Sequence, residues 1–154
     1  MSAEENFAKL GLELPPAPKP MGLYKPAVIV GSMLYLSGHG PLKSDKTLIE
    51  GRLGADLSVE QGAEAAQQTG LAMLATIKAT LGSLDRVKRV VKLLGLVQST
   101  NDFGEQPKVI NGCSQLFSDV WGEENGISAR SAIGTNALPG GIATEIEGIF
   151  EITA

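Results

Sequence analysis

Residues 129–152, ARSAIGTNALPGGIATEIEGIFEI, decide the fold. Ala129 to Thr135 and Ile142 to Ile152 read as two strands, because both are rich in apolar and β-branched residues and the intervening NALPGG is turn chemistry. In the second strand, alternation puts Ile142, Thr144, Ile146, Gly148, Phe150 and Ile152 on one face. Ala143, Glu145, Glu147, Ile149 and Glu151 take the other. The first face suits a core covered by helices. The acidic face carrying Ile149 suits a wet subunit interface or a site.

Working outward, VKRVVKLLGLV (Val87 to Val97) is β-branched and too apolar for a loop, which predicts a central strand. Between these strands Pro107 sits well at the first turn of a helix. Val109, Ile110, Cys113, Leu116, Phe117, Val120 and Trp121 form its apolar stripe, ending at Gly122. Upstream, Ser58 with Gln61 spells a capping box and opens a second long helix with Gly62, Ala66, Gly70, Met73, Ile77 and Leu81 near helical spacing. Its small residues should let it sit close to a sheet, and Gly82 supplies the left-handed stop. Ala27 to Val30 and Met33 to Ser37 are short strands joined by Gly31-Ser32, a pair suited to a type II′ hairpin turn. A polar loop follows, with a short strand near Leu48.

The predicted order is β-β-α-β-α-β-β: an α+β domain over residues 27–154, one mixed sheet with two long helices on one face. Residues 1–26 form a leader in which Ser2 and Glu5 cap a short helix carrying Phe7 and Leu10, followed by the extended run LELPPAPKP. Two helices cover one face of a sheet only, so the other face needs a partner.

The chain has 154 residues, enough for a single self-sufficient core. Net charge is −4 and only seven residues are aromatic, which argues against nucleic acid as a partner. The lone cysteine, Cys113, permits no internal disulfide and no cysteine-based zinc cluster, fitting a reducing compartment, with the cytoplasm as default. No run approaches the ~18 apolar residues of a membrane helix, and the acidic N-terminus does not resemble a signal peptide.

Nucleotide-binding glycine loops, HExxH and G-x-S-x-G are all missing. His39, the one histidine, follows a strand in SGHGP, a setting where hydrogen bonding at the surface is commoner than general base work. Cys113, on the helix stripe, reads as a small buried hydrophobe. Arg86, Lys88, Arg89 and Lys92 read as a solvated face. Arg130 differs: at the head of an apolar strand its charge needs a fixed anion, either a structural salt bridge or a bound carboxylate.

The stretch from Arg130-Ser131 through Leu138-Pro139 to Glu145-Ile146-Glu147 resembles the C-terminal signature of the reactive intermediate deaminase family, also called YjgF or L-PSP. GLYKPAVIVGSMLYLSGHGPL and NDFGEQPKVINGCSQLF resemble its upstream segments, so the likeness runs from about Gly22 to the C-terminus. The resemblance implies a chorismate-mutase-like fold, assembled as a homotrimer around a central barrel, with sites in the clefts between subunits. It implies hydrolysis of 2-imino acids or their enamine tautomers to 2-keto acids and ammonia, with no metal or cofactor.

Carried over residue by residue, Arg130 falls on the substrate-carboxylate arginine and Glu145 on the carboxylate that positions or activates water. Tyr24, Ser37, Gly38 and Asn111 fall on the pocket tyrosine, the serine-glycine backbone and the helix asparagine. Ala132 stands where many of the deaminases have cysteine, and His39 and Gly40 replace a common glutamine and a bulky apolar residue. His39 is expected at the pocket mouth, tuning substrate choice. The alternative is a non-catalytic trimeric binder of small carboxylates; ribonuclease activity fits the charge and aromatic content worst.

Overall fold

The computed structural model describes residues 1–154. Eight elements follow in order: α1 (Ala3–Lys9), β1 (Ala27–Val30), β2 (Met33–His39), α2 (Val59–Leu81), β3 (Val87–Gln98), α3 (Gln106–Gly126), β4 (Ala129–Thr135) and β5 (Thr144–Ile152). The predicted order of strands and long helices is therefore the observed one. The five strands form one sheet, ordered β1-β2-β5-β3-β4, in which β3 and β4 run parallel and the other neighbours antiparallel. Strand β5 is the centre, β3 lies beside it, and β4 is an edge.

Local chemistry accounts for the element ends. Ser2–Glu5 and Ser58–Gln61 both form reciprocal capping boxes, satisfying backbone donors at the starts of α1 and α2. Gly82 closes α2 at φ 87°, a left-handed conformation that a side chain would oppose. Gly31 has φ 60° in the two-residue turn between Val30 and Met33, as a type II′ hairpin requires. In α3, Pro107 lies in the first turn and Gly122 leaves helical geometry, with φ 84° and ψ 160°.

Helices α2 and α3 cover one face of the sheet. Leu34, Leu93, Val97, Ile146 and Phe150 from the sheet join Met73, Leu74, Ile77, Ile110, Leu116 and Phe117 from the helices in one buried core. Phe117, Trp121 and Phe150 pack edge-on or tilted, with centroids 5.3–6.0 Å apart. The small residues of α2 act differently from the sequence-based expectation. Gly62 and Gly70 face Val109, Cys113 and Leu116 of α3, and a Cβ at Gly112 of α3 would lie 1.9 Å from the Ala63 carbonyl oxygen. They therefore set the approach of helix to helix. The sheet makes room for the helices with its own glycines, Gly95 under Ile110 and Gly148 beside Met73.

The leader's α1 packs on α3, where Asn6 Nδ2 donates to the Val120 carbonyl, and Phe7, Leu10, Leu12 and Leu14 rest half-buried against the core. The segment near Leu48 makes isolated bridges, Leu42 with Leu48 and Glu50 with Ile142. The second sheet face carries no element. It presents Tyr35, Ile149, Leu94, Leu96 and Ile133 among Lys92, Glu145, Glu147 and Glu151, with Tyr35 43% and Ile133 49% exposed. No helix is long and apolar enough to cross a membrane.

Candidate functional site

The residues singled out in the sequence gather in two places. The first is built on β2 and β5. Ser37 donates from Oγ to the Lys25 carbonyl at 2.5 Å, and its N–H donates to the Pro26 carbonyl at 3.0 Å. These bonds lash the Tyr24–Pro26 segment to β2, leaving the Tyr24 ring half exposed. Beside Ser37, Gly38 leaves room for Glu145: a Cβ there would stand 2.7 Å from Glu145 Oε2. Ser37, Gly38 and Glu145 thus form one cluster, to which the segment carrying Tyr24 is tied through Lys25 and Pro26. The Glu145 carboxyl titrates above the usual carboxylate range, first because burial penalises its charge and second because Glu147 carries a like charge.

The second cluster is built on β4 and α3. Arg130 donates from Nη2 to Asn111 Oδ1 at 2.8 Å and to the Pro107 carbonyl at 3.2 Å, and from Nη1 to Ser114 Oγ at 3.0 Å. All three acceptors are neutral. The molecule's ion pairs, Lys78–Glu4, Lys88–Glu151 and Lys108–Glu105, leave Arg130 without a carboxylate partner. A guanidinium has five N–H donors, so two remain for something else. Beside it lies a polar groove of about 390 Å³, lined by Asn111, Ser114, Gln115, Ser118, Ser128 and Arg130 with Ile127 as the one apolar residue. The Ser128 hydroxyl in this groove has no hydrogen-bond partner.

Sequence reasoning missed Ser114. Its signal was available, because Pro107, Asn111, Ser114 and Ser118 recur at helical spacing opposite the apolar stripe and so share one side of α3.

Within one chain the two clusters do not meet. Glu145 pairs with Leu96, and Arg130 pairs with Leu93 across two strand spacings, which separates their Cα atoms by roughly 14 Å. They also face opposite ways. Arg130 lies on the helix side with Ala132 and Gly134, whereas Glu145 lies on the open side, its neighbours Thr144 and Ile146 being the helix-facing ones.

His39 belongs to neither cluster, and the expectation that it lies at a pocket mouth is overturned. It is 5% exposed and points beneath the sheet toward α2. Nδ1 lies 2.6 Å from the Ser37 carbonyl oxygen and Nε2 2.8 Å from Thr76 Oγ1. The cause is a β-bulge. Leu36 pairs with Gly148 and His39 with Ile146, so three steps on β2 match two on β5 and the alternation reverses. Burial lowers the imidazole pKa, with the Ser37 carbonyl working in the opposite direction. Cys113 is buried as expected, and burial pushes its thiol far up.

This architecture, one five-stranded sheet backed by two long helices, is the chorismate-mutase-like α+β class. The family described as "YjgF/chorismate_mutase-like, putative endoribonuclease" matches residues 4–140, and the chain belongs to it. Protein TCP17 of Trypanosoma cruzi is 42% identical over 147 residues, which cover 96% of this chain and 92% of that protein. A Dermatophagoides farinae protein named 2-iminobutanoate/2-iminopropanoate deaminase is 30% identical, covering 92% of this chain and 94% of the relative. Among solved structures, Atu1372 of Agrobacterium tumefaciens, of unknown function, superposes with a TM-score of 0.90 at 40% identity, covering 98% of this chain and 92% of that one.

Proposed function

We propose that this protein hydrolyses small 2-imino acids, or their enamine tautomers, to 2-keto acids and ammonia, in clefts where subunits of a homotrimer meet. The observation that carries the reading is Arg130: a guanidinium held in place by three neutral acceptors, with no carboxylate of its own and donors to spare. Such a group is preset for an anion: already oriented, it can direct its remaining charge-assisted N–H donors at a carboxylate. The deaminase name of the Dermatophagoides farinae relative supports the same chemistry.

The separation of Arg130 from Glu145 supports the subunit cleft. Each chain offers two incomplete halves on opposite faces of its sheet, and an open face mixing apolar and acidic residues for a second copy to cover. With the substrate carboxylate on Arg130 of one copy, Glu145 and the Ser37–Gly38 backbone of another would orient water toward the imine carbon. Water adds to that carbon and forms the C–O bond. The resulting carbinolamine loses its protonated nitrogen as ammonia, and the second water proton leaves as the C=O forms, with Glu145 suited to accept and return protons. Because its pKa is raised, the carboxyl exchanges protons more readily near neutrality than an ordinary glutamate does. The imine is already reactive toward water, so positioning supplies most of what is needed. The single buried thiol fits a cytosolic setting, which forms part of this reading.

A coupled assay tests the activity. Added to a serine or threonine dehydratase reaction, the protein should shorten the lag before 2-keto acid appears. An unchanged lag alongside measurable 2-ketobutyrate binding would make it a carboxylate binder instead. Light scattering at micromolar concentration should give three times the chain mass, and a stable monomer would refute the shared cleft.

A further inference from the structure

We infer that His39 is a positioning residue for the Ser37–Gly38–Glu145 cluster, acting through the Ser37 carbonyl from the opposite face of the sheet. The inference rests on the deaminase reading for its kinetic arm only. A carbonyl oxygen can only accept, so the 2.6 Å contact requires His39 to carry its proton on Nδ1. Nε2 is then a lone pair, and the Thr76 hydroxyl 2.8 Å away must donate to it. Thr76 stands on α2 and is 3% exposed, so the imidazole is tied to the rigid core at one end and to the bulge at the other.

The bulge is where the cluster is decided. Ser37 uses every one of its polar groups: its hydroxyl holds Lys25, its N–H holds the Pro26 carbonyl and its carbonyl takes the His39 proton. The carbonyl bond fixes the peptide that joins Ser37 to Gly38, and Gly38 is the floor on which Glu145 rests. Burial keeps the ring neutral, which preserves the lone pair that Thr76 needs. Without the imidazole that peptide would lose its buried partner and could rotate, carrying the Gly38 N–H and the Glu145 seat with it. Tyr24 would follow, since its segment hangs from Ser37.

Two substitutions separate the two ring nitrogens. The amide of His39→Asn places a donor where Nδ1 stands and keeps the Ser37 bond. The longer His39→Gln reaches Thr76 and leaves the Ser37 carbonyl unpartnered. We expect the Gln variant to lose about tenfold in kcat with KM changed less than about threefold, and the Asn variant to stay within about threefold of wild type in both. The Glu145 titration, followed by carboxyl carbon NMR, should move in the Gln variant and stay in the Asn variant. Imidazole nitrogen NMR on the wild type at pH 7.5 should show the Nδ1–H tautomer, a measurement that needs no variant to fold. The Nε2–H tautomer, equal losses in both variants, or a Gln variant matching wild type in kcat and Glu145 titration would each overturn the inference. A wild type without turnover, whose Glu145 titration still moves in the Gln variant alone, would sink the deaminase reading and leave the positioning role standing.

Discussion

Gly38→Ala perturbs the proposed chemistry with little disturbance of the fold. Its Cβ would stand 2.7 Å from Glu145 Oε2, 2.9 Å from Cδ and 3.1 Å from Cγ. Ordinary contact begins near 3.4 Å, so the carboxylate must retreat by about 0.5 to 0.7 Å. The obstructed group is the end of a flexible side chain, and Gly38 is not among the positive-φ glycines, so the backbone accepts alanine. The smaller unfolded-state entropy of alanine contributes about 0.4–1 kcal/mol of stability, offsetting the rotamer adjustment. The melting temperature should therefore stay within about 3 °C of wild type. Turnover should not. Displacement of a positioning group by 1 Å costs up to roughly a hundredfold, so a shift of more than half that distance should lower kcat by about ten- to a hundredfold. Dehydratase-coupled production of 2-keto acid measures the rate, and calorimetric melting measures the fold. Wild-type kcat in a folded Ala variant would refute the role of Glu145. A collapse of melting temperature would show that the close approach is structural.

Arg130→Lys should fold and assemble while binding pyruvate and 2-ketobutyrate more weakly by on the order of 1.5 to 3 kcal/mol, because a flexible ammonium lacks the guanidinium's fixed planar set of donors; equal affinities in titration calorimetry would return Arg130 to a purely structural role. Burial and the Glu147 charge both raise the Glu145 pKa, so the acid limb of kcat against pH should lie above 4.5. Glu147→Gln removes the like charge and should move that limb to lower pH, and an unmoved limb would mean that another group titrates. Stability gives a separate pH signal. His39 has a lowered pKa in the folded state, so below about 6.5 the unfolded chain takes up a proton that the folded chain resists. Stability from this group is full above 6.5 and falls as pH drops toward the folded-state pKa. Denaturant melts of wild type and His39→Asn from pH 7.5 to 5 should show a shallower decline in the variant. Gly112→Ala should be among the most damaging single changes, costing about 3 kcal/mol or more, because its Cβ would meet the Ala63 carbonyl carbon at 2.8 Å and oxygen at 1.9 Å. A variant melting within a few degrees of wild type would show that α2 and α3 can separate freely.

The local signals in the sequence were strong because they depend on neighbours within one or two turns. Ser58 and Gln61 stand three residues apart on one helical turn, so their capping box forms wherever the helix goes. The alternation of β5 was equally legible, since Phe150 and Ile146 must share a face in any extended strand. The strand pattern put Arg130 on β4 and Glu145 on β5, where both lie. Alternation also put Glu145 on the face away from the core, but it did not tell which way Arg130 points within a single chain. That depends on strand order, and a period-2 pattern says nothing about which neighbour a strand will choose.

His39 shows the boundary most clearly. Counting inward from Leu34 and Leu36 puts residue 38 inside and residue 39 outside, yet one extra residue on β2 exchanges them. A bulge is a property of two strands in register, so neither strand's own sequence states it. The small residues of α2 carry the same lesson: Gly62 and Gly70 announced a close approach, and only the packing of α3 decided that its object was another helix. The sequence by itself determined the elements, their caps, the core face of each and the need of Arg130 for fixed partners, because those follow from short-range periodicity and from the cost of an unpaired charge. Tertiary structure alone decided that Arg130 has no acidic partner, that Glu145 rests on Gly38 and that the two stand on opposite faces. Those facts arise from contacts between residues far apart in the chain, which come into being only when the sheet closes.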